Sequence, residues 1–449
     1  MKIKKSTVMW KPFKTLRENW KKSIFFSCVA AYGVHLIDQR IKINKLMRVY
    51  CEEAASFGNQ PWNHQRQLKH LTIILNPVAN QRKGKKLFFS YAQPILNCAG
   101  IKCSLIETEH EGQARDYMEV MSNTDGVIIV GGDGTIHEAI TGYLRRDDSN
   151  KKKSLSLGFI PVGKRNSGMF KLFEVDLDSN GRIRNKVDHI DLIGRLSMSI
   201  VKETTKPIDV IKIEGKDRGK PVYALNSFDF GKLADYLEPA ESYWLFSTRI
   251  KPYYPLSKKI LFKGLSSQSI PAVTDILYTK PCSGCAKCYE NFKEPVEEEA
   301  PKRWWHLLIP RPTQLKQKLK PANIYDSYKD LVNEECGVWH KVESNDLINL
   351  SIRNSFNKKI SMNLHKVEDC SKQSLIQDGV NIFREKDDFK SNVQKIEARD
   401  ISINLTTDQP NSDVVSPDTQ DLKFNIDREN YEAQSVLLSL LPNRISVYS

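Results

Sequence analysis

The chain has 449 residues, 40 % of them apolar, which is enough for a sizeable buried core and for two domains, or one with large insertions, and excludes a disordered polypeptide. Its 68 lysines and arginines outweigh 54 aspartates and glutamates, and the net charge of +14 favours anionic partners: phosphates, nucleic acid or an anionic membrane surface. No RNP-type, zinc-finger or helix-turn-helix signature occurs, which argues against nucleic acid, and nine scattered cysteines in a chain of this size suit a mostly reducing environment rather than a disulfide scaffold.

Residues 1–22 carry Lys2, Lys4, Lys5, Lys11, Lys14, Arg17, Lys21 and Lys22 against one acid, Glu18. Trp10, Phe13, Trp20 and Ile24 fall near one helical face. The apolar run IFFSCVAAYGVHLI, from Ile24 to Ile37, is shorter than the roughly 20 residues that span a bilayer. Residues 1–40 therefore read as a membrane-surface or mitochondrial targeting segment, with an ordinary buried helix as the competing reading. A secretory signal fits poorly, because no small-residue cleavage site follows.

From residue 68 to about 200, strands alternate with helices. LTIILNP, CSLIET, GVIIVGG and LGFIPVG read as buried strands, and KGKKLFFSYAQPIL, GQARDYMEVM and TIHEAITGYLRR read as the helices between them. That order predicts an α/β nucleotide-binding lobe with a mostly parallel sheet covered on both faces, and a ligand site outside the carboxyl ends of the strands. Residues 205–449 change texture. PIDVIKIEG, VYALNSF, DLINLSIRN, KKISMNLHKV, DISINLTT, DLKFNID and VLLSLLPNRISVYS predict an antiparallel β-sandwich lobe. Insertions fall near 280–320 and 385–422, the second a polar stretch that reads as a loop.

The chemistry concentrates at Gly131-Gly132-Asp133-Gly134-Thr135. A strand that leaves through glycines into a helix start builds a phosphate site: the backbone comes close, and amides and dipole face the anion. Thr135 with Glu138 three residues on fits a helix capping box. Asp133 would repel a phosphate unless it holds Mg2+ or accepts a proton from an attacking hydroxyl, so it is the candidate catalytic and metal residue. No Walker loop or dinucleotide fingerprint is present.

GGDGT, together with ILNPVANQRKGKKLF, EGQARDYMEVMSNTDGVIIVGGDGT, TGYLRR, GFIPVG and NIDRENYEAQSVLLSLLPNRISVY, resembles the diacylglycerol kinase catalytic superfamily, which includes sphingosine, ceramide and bacterial lipid kinases. The likeness is closest to its mitochondrial acylglycerol kinase branch. It implies an α/β nucleotide-binding lobe followed by a β-sandwich lobe, with the site between them. It implies a kinase that uses ATP and Mg2+ to phosphorylate monoacylglycerol and diacylglycerol, giving lysophosphatidic and phosphatidic acid. It also implies attachment to the mitochondrial inner membrane facing the intermembrane space, with inner-membrane carrier-translocase subunits as further partners.

By the same likeness, Gly131, Gly132, Gly134 and Thr135 match the nucleotide phosphate loop, with Glu138 just after it. Asn76 and Pro77 match a first nucleotide motif, and Gly163 and Asn166 a third. Asp235 matches a lipid-head-group acid. Asp427 and Glu429 match a D-G-E element, which makes Asp427 a second catalytic candidate. Three positions depart from the pattern. Asn80 replaces a glycine and should tolerate a left-handed backbone. Lys164, followed by Arg165, replaces a threonine and could meet phosphate. Arg428 replaces the glycine of D-G-E. An NAD kinase shares GGDGT, a ceramide or sphingosine kinase shares the wider pattern, and a translocase subunit with an idle or separable kinase site is the reading from another class.

Two further stretches stand apart. Cys282, Cys285 and Cys288 have metal-ligand spacing but lack a fourth ligand nearby, so metal, a local disulfide and plain thiols stay open. KRWWHLLIPRPTQLKQKLK, from Lys302, sets Trp304 and Trp305 between basic ends, as in a membrane-interface segment or a packed edge of the β lobe.

Overall fold

The computed structural model describes residues 20–59, 70–122, 124–146, 155–178, 183–216, 219–237, 240, 243, 250–262, 273–282, 284–287, 330–342, 346–405 and 423–449. The basic residues up to Arg17, Cys288, and the tryptophan segment from Lys302 lie outside them.

Helix α1 spans Trp20–Gly58 and crosses residue 40 without a break. Its first half does not pack as an ordinary core helix: Phe25, Phe26, Val34 and Ile37 are each more than 60 % exposed. The second half docks through buried Ile43 and Ala54, and Tyr50 donates to Asp191 at 2.7 Å. Among the described residues no helix is long and apolar enough to cross a membrane.

The first lobe follows as predicted. Strand β1 (His70–Leu75) is followed by a helix, α2, built from Lys83–Leu87, a π-helical turn Phe88–Ala92 and Gln93–Cys98. The wider turn precedes Pro94, whose missing N–H could not continue an ordinary ladder. Then come β2 (Lys102–Glu107), α3 (Gln113–Val120), β3 (Gly126–Gly131), α4 (Asp133–Leu144), β4 (Ser156–Pro161), α5 (Ser167–Leu172) and α6 (Lys186–Lys202). The strands lie parallel in the order β2-β1-β3-β4. Val127 and Ile129 pack with α3 and α4, while Ile128 and Val130 pack with α1, α2 and α6, so β3 is apolar on both faces. The run of three left-handed residues after Pro77 begins at Asn80, φ 54°, as its replacement of a glycine predicted.

The second lobe is a sandwich. Its strands are β5 (Thr205–Gly215), β6 (Val222–Ala224), β7 (Ser227–Gly231), β8 (Val273–Thr279), β9 (Trp339–Val342), β10 (Leu347–Asn354), β11 (Ile360–Lys366), β12 (Gln394–Ala398), β13 (Asp400–Leu405), β14 (Lys423–Ile426), β15 (Glu429–Glu432) and β16 (Val436–Tyr448). Helices α7 (Lys232–Leu237), α8 (Tyr253–Phe262) and α9 (Lys372–Phe383) cover its outer side. One sheet runs β12-β11-β10-β7-β14-β15. Phe228, Phe230, Leu350, Ile352 and Phe424 point from it into the sandwich core.

The other sheet is not confined to the second lobe. β16 pairs antiparallel with β13 near its start, parallel with β4 at Ser446 and Val447, and antiparallel with β5 along its length. A register shift between Leu441 and Ile445 lets it turn from one lobe to the other. Asp209 pins that bend, accepting from Asn443 N and Lys358 N, both at 2.8 Å.

Three expectations need correction. VYALNSF is two strands, broken at Leu225-Asn226. The 385–422 stretch is not a loop throughout, since β12 and β13 occupy part of it; residues 406–422 lie outside the described set. Thr135 does not cap its helix, because α4 starts two residues earlier with Gly132 at the cap.

Gly194 of α6 lies under the Tyr50 ring, and a Cβ there would come 2.4 Å from it. Gly194→Ala should therefore lower stability by about 1–3 kcal/mol, seen as an earlier urea midpoint with an unchanged slope. An unaltered midpoint would mean that α1 does not sit on α6 in solution.

Candidate active site

β3 delivers the glycine turn to the carboxyl edge of the sheet, where it meets the loop after β4 backbone to backbone. Val162 and Gly163 both donate to Gly131 O, at 3.1 and 3.0 Å, and Asp133 N donates to Arg165 O at 3.3 Å. A Cβ on Gly163 would come 2.4 Å from Gly132 Cα, and one on Gly131 would come 2.7 Å from Thr135 Cβ. Here the glycines are demanded by close approach. Thr135 packs back on the loop and accepts from Asn76 Nδ2 at 3.0 Å, while Asn76 Oδ1 accepts from Val78 N at 3.0 Å. The segment after β1, with Asn76 and Pro77, is thus bonded to the glycine turn. Gly134 and Thr135 begin the helix with amides that have no carbonyl one turn back, the arrangement that receives an anion.

Asn166 closes the third segment, its Nδ2 donating to Gly163 O at 3.0 Å. Lys164 is exposed on that loop. Burial, and then Lys164 and Arg165, push the Lys251 amine down, so three cations converge beside the turn. Arg165 also lies 4.4 Å over the Phe383 ring.

Asp133 is partly buried. Its Oδ2 accepts from Ser167 N at 2.9 Å and Ser167 Oγ at 3.3 Å, which leaves Oδ1 without a described donor. Burial and the Glu385 carboxylate push its acid up to about 7, against the pull of Arg428. Arg428 is the hub on the far side. Its Nε donates to Glu385 at 2.5 Å and its Nη2 to Ser167 Oγ at 2.8 Å, and Asn226 also donates to Glu385. Asp427 and Arg428 take φ of 44° and 75°, so the β14–β15 hairpin keeps the left-handed turn that a glycine would allow.

Asp427 itself is tied down. Leu225 N, Asn226 N and Ser227 N donate to it at 2.6, 3.0 and 2.8 Å, and His137 Nδ1 lies 3.4 Å away. Burial works to raise its acid, but the His137 ring and the amides outweigh it and the net shift is downward. Burial opposes protonation of His137, yet Asp427 holds the imidazole above its ordinary value. The other ring nitrogen contacts Tyr431 Oη at 2.9 Å, and Tyr431 donates to Glu429 at 2.9 Å. Glu429 ends this chain on the open side of the turn, where a Cβ on Gly134 would lie 3.5 Å from its Oε1.

Glu138 points elsewhere. Its carboxyl is pushed up by burial, while the Gly112 and Ala114 amides donate to it, so it caps α3 rather than its own helix. Asp235 stands on α7 between Ala234 and Leu237, which line a cavity of about 160 Å3 with Arg165, Asp229, Glu385 and Arg428. Asp235 is not among the residues lining it. His137, Ser167, Glu385 and Tyr431 escaped the sequence reading. Only His137, one turn after Asp133 on the same helix, carried a local signal.

Residues 70–213 match the diacylglycerol kinase catalytic domain. The chain is similar to "Acylglycerol kinase, mitochondrial" of Mus musculus, at 31 % identity over 97 % of this chain and 96 % of that one. It is equally similar to the protein of that name from Homo sapiens, at 31 % over 97 % and 96 %. A crystal structure of a diacylglycerol kinase from Bacillus anthracis str. Sterne overlays 85 % of this chain and 96 % of its own, at 16 % identity and TM-score 0.43.

The His137–Asp427 pair sets a pH signature. His137 is held above roughly 6.5, so its contribution to stability is complete below that value and lost as pH rises through the folded one. Asp427 is held below its ordinary value, so its contribution is present above roughly 4 and lost as pH falls through the folded one. Asp427→Asn should cost about 3–5 kcal/mol in the window between, with the deficit narrowing on the alkaline side. Thermal melts of both proteins across pH would measure it, and a deficit independent of pH would remove the ion pair from the account.

Proposed function

The chain belongs to the acylglycerol kinase family and is an ATP-dependent lipid kinase, and we propose that its acceptors are monoacylglycerol and diacylglycerol, which it converts to lysophosphatidic and phosphatidic acid. The observation that carries this reading is the meeting of two unlike surfaces at one carboxylate. On one side of Asp133 lies the glycine turn with its amides. On the other lies the Arg428–Glu385 cavity, walled by Phe383, Ile382 and Leu237. A polar floor with apolar walls suits a glycerol head group with an acyl chain behind it.

In this reading Gly131, Gly132, Gly134 and Thr135 receive the ATP phosphates, with Asn76, Pro77, Gly163 and Asn166 holding the turn in shape. Lys164 and Arg165 meet phosphate charge as a mobile ammonium and a fixed fork. The donor set fits Mg2+: Asp133 offers one carboxylate oxygen, and phosphate oxygens and waters would complete the shell, the usual arrangement for this ion beside a nucleotide. When bound, it supplies charge neutralisation on the transferring phosphoryl group. Among the described residues no three carboxylate or imidazole donors converge here, so the protein alone would not cage the ion. Glu429 is the better-placed acceptor for the hydroxyl proton, since it reaches the open side of the turn. Asp427 acts as a positioning residue through His137 and Tyr431 rather than as the base itself. Asp235 remains a proposed head-group contact only through movement of α7. Most of the acceleration comes from placing hydroxyl and γ-phosphate in line.

Mitochondrial attachment at the inner membrane, facing the intermembrane space, is the proposed location. The relatives named above are mitochondrial by name, and the exposed apolar residues of α1 support a membrane contact. That same surface supports the second reading, a subunit of the inner-membrane carrier translocase, carried by α1 rather than by the kinase site.

Purified full-length protein should phosphorylate monoacylglycerol and diacylglycerol in mixed micelles with labelled ATP and Mg2+, and should leave ceramide and sphingosine unmodified. Asp133→Asn should abolish product, and Glu429→Gln should lower kcat about 10^2–10^4-fold. Labelled ceramide or sphingosine product, or no product from any lipid, would overturn the substrate assignment. A variant lacking residues 1–40 should stay active in micelles but no longer sediment with anionic vesicles; sedimentation unchanged would remove α1 from membrane binding. If the translocase role holds, Asp133→Asn protein should still enter a high-mass membrane complex.

A further inference from the structure

Two neighbouring thiols and a third that is remote in sequence meet at one end of the sandwich. Cys282 and Cys285 follow β8, and Cys336 stands just before β9. Their sulfurs all lie within 4.8 Å of one another. A tetrahedral metal bound by sulfur at about 2.3 Å holds its ligand atoms about 3.8 Å apart, so the trio is within a small relaxation of that geometry.

An ordinary core explanation does not hold. Cys285 and Cys336 are buried, yet among the described residues the apolar cluster they form holds these three cysteines and no aliphatic side chain. A small core would recruit the aliphatic residues that every other cluster of this protein uses. A disulfide explanation accounts for two sulfurs and leaves the third.

The local backbone is shaped around the sulfurs. Gly284, between Cys282 and Cys285, has φ 135°, and Gly337, directly after Cys336, has φ 82°. Each cysteine segment therefore bends where only glycine bends at low cost. Asn333 Nδ2 donates to Cys282 Sγ at 3.3 Å and fixes where that sulfur points. Lys287 Nζ donates to Cys336 O at 3.3 Å, and Lys280 pairs with Glu335 at 3.0 Å, two contacts that each join the Cys282–Cys285 side to the Cys336 side. Ala286 N donates to Leu331 O at 2.8 Å and ties the two segments together.

We propose that Cys282, Cys285 and Cys336 bind a structural Zn2+ ion. Three soft sulfur ligands, two of them buried, select zinc over Mg2+ or Ca2+. Its place in the fold says what it does. Thr279 and Trp339 pair across β8 and β9, and residues 280–338 leave and return through that neck. The ion closes the neck and fixes the edge of the long sheet, far in sequence from the glycine turn. Cys288 stands at the next C-x2-C step of the sequence, outside the described residues.

Elemental analysis of the full-length protein, purified without added metal or chelator, should find about one zinc per chain. Cys285→Ser and Cys336→Ser should each retain less than a tenth of it, while Cys103→Ser, a cysteine elsewhere in the molecule, should retain all. Should the serine variants fail to fold, the unmodified protein serves: after chelation, one equivalent of Co2+ should restore a thiolate-to-cobalt charge-transfer band that prior alkylation prevents. Zinc-free protein that gives no cobalt band, with the three thiols alkylating at once or recovered in a disulfide-linked peptide, would overturn the site.

Discussion

The Asp427 carboxylate is the point on which both lobes depend. It sits at the tip of a hairpin of the sandwich and takes three amides from the break between β6 and β7. Its remaining contact is His137, which belongs to the helix that follows the glycine turn. A buried carboxylate with amides on one side and an imidazole on the other stays ionised without solvent. Because the carboxylate and its partners belong to three distant segments, the relative positions of those segments follow from one charge. Arg428 and Glu429 flank it in the chain and inherit that placement.

This explains how several acids can gather beside the glycine turn. Asp133, Glu385, Asp427 and Glu429 would repel one another if bare. Arg428 neutralises Glu385 and donates to the serine that holds Asp133, and His137 answers Asp427. The buried Arg353–Asp229 pair, 2.9 Å apart, extends the pattern under α9. Charges in such a network are worth more together than singly, because each leaves another unpaired when removed.

What the sequence discloses follows how local each feature is. The strand, glycines and helix around Asp133 are contiguous, so that strand–turn–helix unit is legible from spacing alone. The left-handed backbone at Asn80 is legible too, because only a few side chains tolerate it. Thr135 and Glu138 mislead because the local pattern of a capping box is satisfied, while the real partners, Asn76 and the start of α3, are remote. Asp427 is separated from His137 by most of the chain, and no pattern of residues near either reports the contact. Helix α9 hides for another reason. Gly379 lowers its helical signal, yet a Cβ there would come 2.8 Å from Leu256, so packing requires what propensity disfavours. Strand β12 is polar and lies at a sheet edge, where alternation is weak.

The last strand has a consequence for how the molecule is made. β4 finds its outer neighbour only at Ser446 and Val447. During synthesis the parallel sheet of the first lobe emerges with that edge uncovered, and it stays so until β16, on the far side of the second lobe in sequence, has been added. An uncovered edge pairs readily with other chains. Completion of the first lobe is thereby coupled to synthesis of the second, and a chain that stops before β16 releases a lobe with an open seam.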